Sequence, residues 1–72
     1  MSRAPVVPKL KPSQVTQLKS MGFTHVCIVA DRGCVREPGS VEAAFRSGRD
    51  ADRFAFTLNR TFGSGLYRGE RL

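Results

Sequence analysis

Arg53, Phe56 and Arg60 stand three and four residues apart within "DRFAFTLNRTF", residues 52–62. On a helix this spacing sets two guanidinium groups and an aromatic ring on one face, with Asn59 at its margin. The apolar stripe of the same segment lies elsewhere. At 100° per residue, Phe54, Leu58 and Phe62 align with Ala51 and Ala55. Phe56 therefore falls on the arginine side. Guanidinium groups hold phosphates or carboxylates, and an exposed ring stacks on an unpaired base or fills a pocket in a partner. Two other arrangements would cover the ring: a core wrapping the helix on both sides, or a homodimer.

Other combinations of reactive residues are incomplete. His25 and Cys27 are two apart and share one face of a strand, but zinc needs three or four ligands and Cys34 is the one further thiol. Arg32 lies close enough to Cys34 in sequence to lower its pKa modestly, yet no nucleophile, base and orienting group come together. "GSGLYRG" at residues 63–69 has the glycines of a phosphate loop but follows a helix instead of a strand, so it reads as a flexible tail. "PVVP" is a short match to a PxxP ligand, and "NRT" at Asn59 matters only in a secreted chain. The pattern predicts a non-enzymatic binding module with no metal and no cofactor.

Charge gives the partner's sign. Twelve Lys and Arg against six Asp and Glu leave +6, and residues 1–30 carry Arg3, Lys9, Lys11 and Lys19 with no acid. Residues 37–72 are nearly balanced. A basic end favours a polyanion, here nucleic acid or a nucleoprotein complex. Arg53, Phe56, Asn59 and Arg60 are the expected local contacts, and Arg3, Lys9 and Lys11 the source of long-range attraction. The alternative partner is an acidic protein surface, as for a small regulator or inhibitor of a host enzyme of the kind viruses and mobile elements encode. The same charge also serves solubility alone.

The longest apolar run, "VCIVA", is far short of a membrane span, and no apolar signal region follows the start, so the protein is expected to be intracellular and cytoplasmic.

One small domain must position these residues. Residues 1–10 read as an extended, Pro-rich basic arm, 11–63 as a compact domain and 64–72 as a flexible tail. A helix starts at a cap on Lys11 or Ser13 and stops at Gly22, with Leu18 and Phe23 as the touching pair of a Schellman motif. "THVCIVADRGCVRE" reads as strand 24–30, a three-residue loop with Gly33 left-handed, and strand 34–37. That register pairs Ala30 with Cys34 and Cys27 with Glu37, setting the sulfurs on opposite faces as free thiols. Val6 and Val7 are placed to add a third edge strand. Ser40 then caps a short helix "VEAAFRS", Gly48 ends it, Asp50 caps the last helix over 51–62, and Gly63 closes it. The fold class is α+β in the order α-β-β-α-α, an antiparallel hairpin packed against helices. The separation of the helices by the hairpin excludes a helix-turn-helix.

Overall fold

The computed structural model describes residues 7–30 and 37–72. The chain runs α1 (Pro12–Ser20), β1 (His25–Val29), β2 (Val41–Phe45), α2 (Gly48–Phe62) and β3 (Tyr67–Arg71). The strands form one antiparallel sheet in the order β2-β1-β3. The class is α+β. α2 lies across the sheet and packs most heavily on β3.

α1 begins and ends where its local signals place it. Pro12 occupies the first turn, and the Lys11 N–H donates to Gln14 Oε1 at 2.9 Å. At its end the Phe23 N–H reaches the Leu18 carbonyl and the Gly22 N–H that of Lys19, with Gly22 at a φ of 90°. This is the Schellman pattern, and only glycine takes that φ without strain. α1 has no fully buried residue. A clasp from the sheet side ties it down. The Arg46 guanidinium lies 4.5 Å from the Phe23 ring centroid and donates to the Met21 carbonyl at 3.3 Å.

β1 is the centre of the sheet and is buried on both faces. Cys27 and Val29 point toward α2 and join Ala55 and Tyr67, with Phe45, Leu58 and Leu66 packed around them. Val26 and Ile28 point the other way and are also fully buried.

The partners of β1 differ from those predicted. Residues 34–36 of the expected second strand and the register of Cys34 lie outside the described residues, while Glu37 is not in a strand. The strand pairing with β1 is "VEAAF", which the sequence reading made a helix. Cys27 faces Ala43 on β2 and Gly69 on β3 instead of Glu37. The run satisfies two periods at once: Val41, Ala44 and Phe45 at helical spacing, Val41, Ala43 and Phe45 at strand spacing. Pairing with a buried central strand decides between them, and a bulge opposite Cys27 and Ile28 absorbs the irregularity.

The third strand comes from the C-terminal segment, not from the arm. Val6 lies outside the described residues. Val7 is exposed and in no strand. Residues 67–71, expected to be tail, form β3. The Val29 backbone bonds to Ser40 and Gly39 on the β2 side, so the facing Tyr67 turns its N–H and C=O outward. Asn59 of α2 takes both. Its Oδ1 accepts from the Tyr67 N–H at 2.8 Å, and its Nδ2 donates to the Tyr67 carbonyl at 3.0 Å. Close approach completes the junction. A Cβ on Gly69 would sit 3.1 Å from Ala51 Cβ and 2.7 Å from Asp52 Oδ1, so glycine there lets the helix settle onto the strand.

Asn59→Ala leaves the half-buried Tyr67 N–H and C=O without these partners. At about 1 kcal/mol or more per lost bond, denaturant unfolding is expected to show a loss of about 2 kcal/mol. A change below about 0.5 kcal/mol would mean the clamp contributes nothing.

Candidate functional site

α2 starts three residues earlier than the sequence suggests. Ser47 is the N-cap, its hydroxyl accepting from the Asp50 N–H at 3.2 Å. Asp50 is thus a third-position acid inside the first turn, not the cap, and Gly48 opens the helix instead of ending another. The Gly63 N–H bonds the Asn59 carbonyl at the far end.

The early start adds Arg49 to the helix, and Arg49 is a site residue that sequence reasoning missed. At 100° per residue, Arg49, Arg53 and Arg60 fall within about 40° of one another, with Phe56 beside them. All four are exposed, Phe56 at 64%. The ring is not core, and the arginine side of the helix is its solvent side. An open groove lined by Gly48, Arg49, Asp52, Arg53 and Phe56 runs along this ridge. The Arg60 guanidinium carbon stands 6.0 Å from the Phe56 ring centroid. Among the described residues, Arg49, Arg53 and Arg60 make no ion pair, although Asp50 and Asp52 are on the same helix. Asp52 borders the stripe on one side and Asp50 on the other, by the same 100° step.

The remaining expected contacts lie elsewhere. Asn59 faces the sheet, its amide committed to Tyr67. Lys9 sits on the β1–β2 connection, its N–H on the Gly39 carbonyl and its ammonium 2.8 Å from Glu37 Oε2. That hydrogen bond and the ammonium charge hold the Glu37 carboxyl below its ordinary value. Lys11 is exposed just before α1, and Arg3 lies outside the described residues.

The thiol and imidazole candidates are occupied otherwise. Cys27 is a free thiol within the core, pushed up to about 11 by burial and then by the charge of Glu42, so it is protonated at neutral pH. His25 Nδ1 lies 2.7 Å from Thr24 Oγ1, and its ring edge lies against Gly48. Among the described residues no three His, Cys, Asp or Glu side chains converge as a metal site would require, and no helix is long and apolar enough to cross a membrane. Cys34 and Arg32 lie outside the described residues.

No protein-family model, curated protein or solved structure matches the chain.

Phe54 is the control for Phe56. Its ring packs at 5.2 Å on Phe45, and it is only 36% exposed. Phe56→Ala should change stability by less than about 0.5 kcal/mol, and Phe54→Ala should cost at least about 1 kcal/mol, both read by thermal unfolding. Equal losses would return Phe56 to the core.

Cys27 gives a pH signature. A thiol at 9.0 in the unfolded chain and about 11 in the fold keeps its proton longer when folded. The unfolded state is therefore favoured progressively as pH rises from about 9 toward 11. Unfolding measured across that window should show this loss in the parent and a smaller one in Cys27→Ala.

Proposed function

We propose that this protein is a small, non-enzymatic binding module. It holds a polyanion, nucleic acid or a nucleoprotein complex, on the outer face of α2. The observation that carries this reading is a set of cations placed against the interest of the helix. Arg49 stands in the first turn, where the macrodipole disfavours positive charge. Arg53 follows at i+4, a like-charge pair that costs a helix some tenths of a kcal/mol. Among the described residues neither makes a direct ion pair, although Asp52 and Asp50 stand three residues away. An anion bound along the stripe removes both penalties. Functional surfaces are where proteins break such local rules.

The roles divide by position. Arg49, Arg53 and Arg60 neutralise the anion, and Phe56 supplies apolar contact at the centre of the ridge. Lys11 and Arg3 add to the field that draws the partner in, while Lys9 is largely compensated by Glu37.

Salt dependence tests the assignment. For the full chain on a mixed-sequence nucleic-acid probe, the slope of log K against log salt should fall by about 0.7–0.9 for each arginine changed to Gln at 49, 53 or 60. Lys9→Gln should leave the slope nearly unchanged. Retention of the parent slope by all three arginine variants would remove α2 as the binding face. Excess unrelated DNA and RNA should abolish the interaction. A partner that survives this competition is an acidic protein surface.

A further inference from the structure

We infer that the polyanion is a single strand of nucleic acid, lying along the α2 ridge with one base stacked on Phe56. This rests on the binding reading above and narrows it.

Two features of the ridge separate a single strand from its rivals. The first is width. The cations occupy one stripe of about 40°, and carboxylates border it on both sides, Asp50 beyond Arg53 and Asp52 beyond Arg49. A helix seated in a duplex groove meets phosphates of two strands, one along each flank. Here each flank carries one carboxylate beside Arg49 and Arg53. One phosphate chain can follow the stripe and avoid Asp50 and Asp52, whereas two cannot.

The second feature is the ring. Phe56 sits between Arg53 and Arg60 in the series and is 64% exposed, with the Arg60 guanidinium 6.0 Å from its centroid over one face. A duplex hides its base faces inside the stack, so a side chain without donors or acceptors finds little there to read. An unpaired base offers a face of matching size, and stacking tolerates any base. A base-free polyanion would meet the arginines and leave the ring unused. The nearby Arg60 guanidinium is placed to hold a phosphate next to the stacked nucleotide.

The length of the ridge sets the footprint. Arg49 to Arg60 spans eleven residues, about 16 Å at 1.5 Å per residue. That matches about five stacked nucleotides at the roughly 3.4 Å rise of one strand.

The test uses the full chain and four probes at one salt concentration. These are single-stranded DNA and RNA of about twelve mixed nucleotides, the DNA duplex of the same sequence, and inorganic polyphosphate. A single strand should bind at least about tenfold more tightly than duplex or polyphosphate. Phe56→Ala and Phe56→Leu should each weaken single-strand binding by roughly 5- to 150-fold, the range base–aromatic stacking covers, without altering polyphosphate binding. Phe56→Trp should bind as well as the parent or better. Unfolding curves confirm that each variant folds. Equal affinity for duplex or polyphosphate, or parental single-strand affinity in Phe56→Leu, overturns the single-strand assignment. In those cases the polyanion reading stands if the arginine variants still weaken binding. Failure to bind any of the four probes removes both readings.

Discussion

The amide of Asn59 does the work of a short β-strand. It gives one acceptor and one donor to the outward edge of Tyr67, and so it joins α2 to β3 through backbone-like hydrogen bonds. β1 is buried on both faces and needs a hydrogen-bonded neighbour along each edge. β2 serves one edge. β3 serves the other and has only Tyr67 to offer the core. Holding that segment in place requires the helix above it, and Asn59 with Gly69 and Ala51 makes the junction close enough to hold.

The same junction sets the rotation of α2. With Ala51, Ala55 and Asn59 turned to the sheet, Arg49, Arg53 and Arg60 on the far side face solvent, and Phe56 between the two sets is exposed beside them. Aromatic contacts steady the helix from its flanks, Phe54 on Phe45 at 5.2 Å and Phe62 near Tyr67 at 6.3 Å. A helix held by tertiary contacts tolerates an outer face that its own electrostatics disfavour.

The net charge of +6 is not spread evenly over the described surface. Lys9 pairs with Glu37, Arg68 with Glu70, and Arg46 lies over Phe23. Each of these cations has a structural task. Among the described residues Arg49 and Arg53 have no such contact and Arg60 has only the Phe56 ring on its own helix, which sets the outer face of α2 apart from these paired cations.

What the sequence determined by itself was local. α1 was legible because a proline at its start and the Leu18, Gly22 and Phe23 positions at its end act within one or two turns. β1 was legible as an apolar run, and helical periodicity placed Phe56 on the arginine side of α2, while its exposure was decided by the fold. Tertiary structure decided the rest. "VEAAF" fits helix and strand spacing equally, so pairing with β1 made the choice. "YRGER" has one large apolar residue and a central glycine, with no strand signal of its own. It became β3 through the free edge of β1 and the clamp from Asn59, which the helix pattern had placed at the margin of the binding face. Arg49 was missed for a smaller reason of the same kind, since Ser47 and Asp50 are both good caps and the ring of His25 against Gly48 is visible only in the fold. Periodicity and caps act between residues a few positions apart. Strand partners and the rotation of a helix depend on contacts across the whole chain, and in a domain this small those contacts outweigh local preference.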